Sequence, residues 1–231
     1  MQYGQFCPIA KAAEILGDKW SLLIVRELLM GGNRFNVLQR GLGGISPTIL
    51  TKRLNDFAAQ GILIKKKIQG QKGYEYFLTE CGKELLPLVK EFGTWGMRWA
   101  RDGMPESDLD AELLIMYLER SIVTDKLIGN ESVIRFQFTD LEDIKTWWLV
   151  IKGDEVDACI SDPGKDIDVY ITTDLRTMIE LWMGDLSYSS AIADKKFTIV
   201  GPTALTKNIS SWMNCSIFEG IAPAKDIRHA G

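Results

Sequence analysis

The stretch that decides the fold of the first half of the chain is residues 46–79, SPTILTKRLNDFAAQGILIKKKIQGQKGYEYFLT. Ser46 can cap a helix whose first residue is Pro47, and the helical pattern continues as far as Gly61. Two further runs, ILIKKKIQ and YEYFLT, lie on either side of GQKG, a pattern typical of a β-hairpin. The stretch therefore predicts a capped helix that leads directly into a two-stranded hairpin.

Two different faces are predicted for this helix. Its apolar stripe, which should face a core, comprises Leu50, Leu54, Phe57 and Ala58. Its opposite face carries hydroxyl, amide and ammonium groups, on Thr48, Thr51, Lys52 and Asn55. Such groups suit the base edges in the major groove of DNA, and Arg53, beside the stripe, could reach a phosphate. The alternative interpretation is a solvated surface helix followed by a solubilising hairpin.

Three short helices are predicted before residue 46. The first covers residues 8–16 and ends at Gly17, the second lies within residues 19–32 and can be capped by Asp18, and the third covers residues 34–40. The hairpin after the fourth helix is basic, with four lysines on its first strand or in its turn: Lys65, Lys66, Lys67 and Lys72. Three helices, a capped fourth helix and a basic hairpin predict a winged helix-turn-helix.

The charge of the chain is unevenly distributed. A net charge of −4 over 231 residues would by itself argue against nucleic-acid binding. Residues 1–103, however, carry 15 basic and 9 acidic side chains, a net charge of +6, whereas residues 104–231 carry 12 and 22, a net charge of −10. We therefore predict two domains, 1–103 and 104–231, joined by a linker at residues 101–105, with the nucleic-acid surface on the first domain.

Composition excludes several classes of protein. A hydrophobic content of 46% with 25% charged residues is typical of a folded chain rather than a disordered one. The longest apolar run, residues 113–118, is far shorter than the roughly 18 residues of a membrane span, and no signal peptide is recognisable, so we expect a cytoplasmic protein. The single histidine, His229, lies near the chain end, and phosphate-binding loops are missing. We expect no catalysis, metal or cofactor.

The segments 7–63 and 74–85 closely resemble the HxlR family of bacterial winged-helix transcriptional regulators. The resemblance rests on Cys7-Pro8, Gly17-Asp18-Lys19-Trp20, Arg34-Phe35, Gly44-Ile45-Ser46-Pro47 with Leu50 and Arg53-Leu54, and Leu78-Thr79 with Gly82. It implies a homodimer whose recognition helices enter successive major grooves of a pseudo-palindromic operator while the wings touch the adjacent backbone. The predicted contacts to double-stranded DNA are Arg34, Ser46, Thr48, Thr51, Lys52, Arg53, Asn55, Lys65, Lys66, Lys67 and Lys72.

A dimer is also indicated by the helix after the hairpin. Large apolar residues recur there at spacings of three or four, as in a heptad seam: Leu85, Leu88, Phe92, Trp95 and Trp99. Aromatic side chains of this kind are common where proteins associate. The alternative interpretation is that this helix packs only on its own domain.

Cys7 carries a separate hypothesis. Some members of the family resembled use a cysteine at the matching position as a sensor of oxidants or electrophiles. A sensing thiol should be exposed and close to a cation, and Lys11 lies one helical turn away. The sequence favours the alternative, an inert structural cysteine, and the sensor stays a hypothesis.

The second half of the chain alternates strands and helices. Helices are predicted at residues 108–129, 174–185, 189–194 and 202–213, and strands at residues 133–140, 146–160, 165–174 and 196–201, with a turn at residues 153–154. Asp174 can cap the second of these helices, and Gly184 can end it. Paired strands followed by covering helices predict an α+β domain.

The order of these elements resembles the sterol carrier protein-like domain over residues 113–213. The resemblance implies an apolar tunnel for fatty acids, acyl groups, sterols or related molecules, and ligand binding without catalysis. The second half also contains four tryptophans and five methionines, adaptable apolar groups that can line such a cavity. Our predicted pocket residues are Tyr170, as a polar anchor, and Trp182, Met183, Phe197 and Trp212.

The sequence thus predicts a mainly-α winged helix-turn-helix followed by an α+β sterol carrier protein-like domain. The primary functional hypothesis is a transcriptional repressor that binds operator DNA as a homodimer and a hydrophobic effector through its second half. A lipid carrier whose winged-helix half serves dimerisation or protein docking is the alternative. An enzyme using Asp157, Asp166 or Asp168 is a third hypothesis, but no nucleophile or base accompanies those carboxylates.

Overall fold

A computed structural model describes residues 2–100 and 104–224 of the chain. These residues form two compact units, Met1–Trp95 and Gly96–Gly231. The predicted linker lies partly outside the described residues, as does His229, so the domain boundary at residue 103 stays a prediction. Within the described residues, no helix has the length and apolar character needed to cross a membrane.

The first unit has four helices, a hairpin and two further helices. Its elements, in chain order, are α1 Pro8–Leu16, α2 Ser21–Leu29, α3 Phe35–Gly41, α4 Pro47–Ala59, β1 Leu63–Lys67, β2 Tyr74–Leu78, α5 Glu80–Lys83 and α6 Leu86–Trp95. The turn between α3 and α4 includes Gly44 at a φ of +76°, a backbone conformation that glycine adopts without steric cost. This order confirms the predicted winged helix-turn-helix.

The core of the first unit is built around α4. Leu50, Leu54 and Phe57 are the buried residues of this helix, and they pack with Ile24 and Leu38 from the preceding helices. Full burial of each such side chain contributes roughly 1.5–3 kcal/mol. The apolar stripe predicted from the sequence is therefore the face that fixes α4 to the unit, with Ala58 half-buried at its margin.

The hairpin is joined by a third extended segment. β1 and β2 pair antiparallel, with Lys65 opposite Tyr76 and Lys67 opposite Tyr74. Arg34 forms a bridge to Glu75, and the backbone N–H of Tyr76 donates to the carbonyl of Asn33 at 2.8 Å. The segment before α3 therefore anchors β2, which lies between it and β1, to the helical part of the unit.

The prediction that Asp18 caps α2 was wrong. The helix begins at Ser21, Trp20 occupies the N-cap position, and Asp18 contributes only its backbone carbonyl, which accepts from Ser21 N at 2.9 Å. The carboxylate of Asp18 instead forms an ion pair with Arg53 of α4. The guanidinium is a charged partner, and hydrogen bonds between two charged groups are stronger than the bonds that the neutral N–H groups of a helix end could donate to this carboxylate.

The second unit consists of a five-stranded sheet with helices. Its elements are α7 Ala111–Ser121, β3 Glu131–Phe138, β4 Thr146–Lys152, β5 Glu155–Cys159, β6 Val169–Thr173, α8 Leu175–Met183, α9 Tyr188–Ala193, β7 Phe197–Val200, α10 Thr203–Thr206 and α11 Ile209–Trp212. The strand order is β5-β4-β3-β6-β7, and only the β3–β6 pair of this sheet is parallel. The arrangement confirms the predicted α+β class.

Two predicted helices of this unit are shorter than expected. α7 ends at Ser121 rather than continuing to residue 129, because Ile122 forms a bridge to Met213 and Val123 N donates to Trp212 O at 2.8 Å. The helix predicted at residues 202–213 is divided into α10 and α11 at Asn208. At the end of α7, backbone pairing with a distant segment thus replaces the helical hydrogen bonds that the local pattern suggested.

The two faces of the sheet differ in what they contact. Ile134 and Phe136 of β3, Trp147 of β4 and Ile171 of β6 belong to the core that the helices cover. Arg135 and Gln137 alternate with them and therefore lie on the opposite face. Asp174 caps α8, its carboxylate accepting from Thr177 N at 2.8 Å, and Gly184 with φ +81° follows the last residue of the helix, as predicted.

Candidate nucleic-acid interface

The outward face of α4 presents four predicted DNA-contacting side chains together. Thr48, Thr51, Lys52 and Asn55 are all exposed and line one open depression with Pro47 and Asp56. Ser46 differs from them, because its hydroxyl accepts from Ile49 N at 3.3 Å and so serves as the helix cap. We call the face formed by Thr48, Thr51, Lys52 and Asn55 the reading face.

The hairpin, or wing, brings its lysines close to this helix. Lys65, Lys66 and Lys67 are exposed on β1, and Lys72 is exposed in the turn. Lys65 Nζ donates to Asn55 Oδ1 at 3.4 Å and lies 4.1 Å from the ring centroid of Tyr74. Lys66 Nζ lies 5.1 Å from the ring centroid of Phe77. Since adjacent strand residues point to opposite sides, only one of these two lysines contacts the reading face.

The two predicted arginine contacts are engaged within the protein. Arg34 Nε lies 3.6 Å from Glu75 Oε1. Arg53 pairs with Asp18 and lies 3.5 Å from Asp56 Oδ2, and its side chain is only 21% exposed. A phosphate contact by Arg53 stays a prediction, and DNA would have to compete with two carboxylates for it. Sequence reasoning missed the Arg53–Asp18 pair because no local pattern links positions so far apart.

The predicted dimer seam is largely exposed on the single chain. Every residue of α6 is exposed or half-buried, and its largest apolar groups, Phe92 and Trp95, are 61% and 58% exposed. Leu88 and Trp99 are exposed too, whereas Leu85 is half-buried against the core of the first unit. Leu88, Phe92 and Trp95 of α6 are thus exposed apolar groups that a partner could cover, whereas Leu85 contributes to packing within the first unit.

The surroundings of Cys7 differ from those expected of a cation-activated thiol. Cys7 is half-buried at the N-cap position of α1. The ammonium group of Lys11 pairs with the Glu14 carboxylate at 3.1 Å. Glu14 also accepts from the backbone N–H of Tyr3, and this hydrogen bond, together with Lys11, lowers the pKa of that carboxyl. The ammonium group of Lys11, which the sequence suggested as the cation beside the thiol, therefore pairs with the Glu14 carboxylate instead.

Three of the predicted pocket residues belong to or pack against the core of the second unit. Trp212 and Phe197 are fully buried, and Trp182 is half-buried with its ring stacked on Tyr117 at a centroid distance of 4.7 Å. The indole N–H of Trp212 donates to the Leu205 carbonyl, and that of Trp182 donates to Ser121 Oγ, both at 2.9 Å. Their polar atoms are thus satisfied by the protein itself.

Tyr170, predicted as the polar anchor of the same pocket, does not lie with these residues, so that assignment stays a prediction. It lies on the opposite face of the sheet, 41% exposed, because the neighbouring Ile171 occupies the core-facing position of β6. The guanidinium of Arg135 lies 6.0 Å from its ring centroid. Met183 is half-buried at the end of α8. The five residues therefore do not converge on one cavity.

Trp147 and Trp148 each have a buried indole N–H without a hydrogen-bond partner among the described residues, and of the two Trp147 belongs to the helix-covered core. Trp147 is buried in the core of the second unit, and its indole N–H has no hydrogen-bond partner among the described residues. Buried donors without a partner are uncommon in folded proteins. The sequence signal was the Trp147-Trp148 pair, because adjacent strand residues must face opposite sides and one of them must enter the core.

Comparison with known proteins assigns both halves of the chain. The HxlR-like helix-turn-helix family model matches residues 15–104, and the SCP-2 sterol transfer family model matches residues 120–214. The chain therefore belongs to the HxlR-like helix-turn-helix family and carries an SCP-2 sterol transfer domain in its second half. Both resemblances inferred from the sequence are confirmed.

The relatives of the first half are helix-turn-helix regulators. The uncharacterized HTH-type transcriptional regulator YvaP of Bacillus subtilis is 34% identical over 101 residues, which are 43% of this chain and 94% of YvaP. The uncharacterized regulator sll1512 of Synechocystis is 33% identical over 108 residues, 46% of this chain and 79% of the relative. The reduced form of the transcriptional regulator YodB from B. subtilis is 27% identical, with a TM-score of 0.37, over 43% of this chain and all of YodB.

Proposed function

We propose that this protein is a homodimeric transcriptional repressor that binds a pseudo-palindromic operator through α4 and the wing, and that its second half binds a hydrophobic effector. The observation that carries the proposal is the reading face, where Thr48, Thr51, Lys52 and Asn55 lie exposed beside the lysines of β1. Hydroxyl, amide and ammonium groups can hydrogen-bond base edges, and the lysines can neutralise phosphates. Family membership supports this assignment.

The exposed apolar surface of α6 supports the homodimer. Phe92 and Trp95 bury little of their area on the single chain, and Ile9 of α1 and Phe6 before it are also strongly exposed. Aromatic side chains left in water in this number are typical of an association surface. In a two-fold dimer, two copies of α4 would reach half-sites about one helical turn of DNA apart, about 34–36 Å.

The unpartnered indole of Trp147 supports effector binding. A ligand with a polar head and an apolar tail could accept a hydrogen bond from this buried N–H group while its tail contacts the surrounding apolar side chains. Such a ligand would change DNA binding only if it preferred one geometry of the dimer. We propose that the domain acts by binding alone, without catalysis, in a cytoplasmic regulator that represses by occupying its operator.

Selection from a randomised duplex library, followed by fluorescence anisotropy at several salt concentrations, tests the proposal. We expect a palindromic consensus and an affinity that falls with salt by a slope of about −0.9 for each phosphate neutralised. A chain that enriches no sequence and shows no salt dependence would contradict the regulator. If such a chain instead yields bound lipid on organic extraction, the lipid-carrier alternative is favoured.

A further inference from the structure

One hydrogen bond links the wing to the reading face. Lys65 Nζ donates to Asn55 Oδ1 at 3.4 Å. The same ammonium group lies 4.1 Å from the ring centroid of Tyr74 and 6.0 Å from that of Tyr76, so cation–π contacts also hold it. Lys65 is thus held by a side chain of α4 and by two aromatic rings of β2 together.

This hydrogen bond changes what Asn55 can offer to DNA. A free asparagine amide presents one acceptor, Oδ1, and two donors on Nδ2. Here one of the two lone pairs of Oδ1 already accepts a hydrogen bond from a cation, the other lies beside that positive charge, and the Nδ2 donors are left for another partner. The remaining ammonium hydrogens of Lys65 are donors as well. The end of the reading face near the wing therefore presents hydrogen-bond donors to DNA.

Adenine and guanine present different hydrogen-bonding groups in the major groove, and the Asn55–Lys65 pair can distinguish them. Adenine presents the N7 acceptor and the N6 amino donor in the major groove, so an asparagine reads it with both Oδ1 and Nδ2. Guanine presents two acceptors, N7 and O6. An amide whose oxygen is held by an ammonium group disfavours the adenine amino group, which would have to approach next to another donor and a positive charge.

Nearby side chains support the same preference. Lys52, one turn before Asn55, is a further donor on the reading face. The carboxylate of Asp56, which could accept from a base amino group, lies 3.5 Å from Arg53 Nη1 and is paired with it. Asn55 Oδ1 and the Asp56 carboxylate are therefore both bound to cations of the chain.

We propose that Lys65 is a specificity-determining residue, which directs Asn55 to read guanine rather than adenine in the operator. The proposal rests on the proposed function, that is, on sequence-specific DNA binding through α4. It assigns to one wing lysine a contribution to base selection, whereas a phosphate-contacting lysine would strengthen binding to all sequences alike.

The test uses the full-length chain and a randomised duplex library. The variant N55A first identifies the base pair that Asn55 reads, as the position where its consensus loses preference. The variant K65M then removes the ammonium group and keeps the apolar stem. We expect the guanine-to-adenine ratio at that position to fall at least about fivefold, the lower end of the discrimination provided by one bidentate base contact. K65R, which keeps a cationic donor, should retain guanine.

K66M is the matched control, because it removes the same charge from the same strand while Lys66 contacts Phe77 and not Asn55. It should weaken binding without changing the preferred base. Circular dichroism of each variant checks that the fold is retained. A second readout is 7-deazaguanine, which lacks N7: at the Asn55 position it should weaken the parent chain and leave N55A unchanged.

Three results would overturn the inference while leaving the proposed function intact: an adenine consensus at the Asn55 position of the parent chain, an unchanged base preference in K65M, or an unchanged consensus in N55A. In each case sequence-specific binding by the parent chain is still observed. Loss of all sequence preference in the parent chain would instead overturn the proposed function itself.

Discussion

The guanidinium of Arg53 in α4 forms an ion pair with the carboxylate of Asp18, which lies in the segment between α1 and α2. A second carboxylate, Asp56, lies 3.5 Å from the same nitrogen. Because Arg53 lies between the apolar stripe and the reading face of α4, this pair ties the helix proposed to read DNA to an earlier part of the chain.

We expect R53M to lower the free energy of unfolding by about 1 kcal/mol, the upper range for a partly exposed pair, since two carboxylates then lose their cation. D18N should cost less, because Asp56 still pairs with Arg53. Urea unfolding followed by circular dichroism measures both. A larger loss in D18N than in R53M would contradict this account of the pair.

The same two variants test the phosphate contact predicted for Arg53. If the guanidinium reaches a phosphate, R53M should weaken DNA binding and reduce the salt slope by about 0.9, while D18N, which removes a competing carboxylate, should strengthen binding. Anisotropy titrations at several salt concentrations distinguish the variants. Weaker binding in both with an unchanged slope would show that Arg53 positions α4 instead.

Substitutions on the reading face and on the wing should have different effects. T48A and K52A should change sequence preference, each by roughly five- to a hundredfold at one base pair, because these side chains face the groove. K66A should weaken specific and random duplexes by the same factor. Competition titrations give the ratio of the affinities for specific and random duplexes. If this ratio changed equally in all three variants, the reading face and the wing would not have the different roles proposed for them.

Dimerisation should depend on the exposed face of α6. F92E places a charge where a 61% exposed aromatic is expected to be buried against a second chain, so the dimer dissociation constant should rise at least about tenfold. Analytical ultracentrifugation measures it. I192E, at an exposed isoleucine of α9, is the matched control and should leave the constant unchanged. A monomeric parent chain would remove the basis of the proposal.

Two tryptophan variants test the unpartnered indole. W147F and W182F both replace an indole by a smaller ring, but only W182F also loses a hydrogen bond, the one to Ser121, so W182F should lower the free energy of unfolding by about 1 kcal/mol more than W147F. With a fluorescent fatty acid as probe, W147F should weaken binding severalfold. Equal stability losses in the two variants, or unchanged probe affinity in W147F, would count against an indole reserved for a ligand.

Several parts of the structure follow from local sequence rules. The start of α4 depends on Ser46 and Pro47, and α8 depends on the Asp174 cap and the left-handed Gly184, all within a few residues of the elements they bound. The buried stripe of α4 follows from helical periodicity alone. These features were predictable because a cap or a face needs no information from distant parts of the chain.

Other parts depend on residues that only folding brings together. Asp18 matches the local pattern of a helix cap, but in the folded chain its carboxylate pairs with Arg53. α7 ends early because the backbone that follows it pairs with the segment around Met213. Tyr170 was assigned to the pocket because the sequence does not show which face of the sheet the helices cover. Each case turns on a competition between a local and a long-range partner.

By itself, the sequence determined the two-domain plan, the winged-helix and α+β classes, the opposite charges of the halves and the identity of the reading face, since these depend on composition and on short-range periodicity. Only the tertiary structure decided that Lys65 meets Asn55, that Arg53 meets Asp18 and that the indole of Trp147 is buried with no partner in the part of the chain that the structure describes. The physical reason is that hydrogen bonds and ion pairs act over a few ångströms, and folding alone fixes which distant residues come that close.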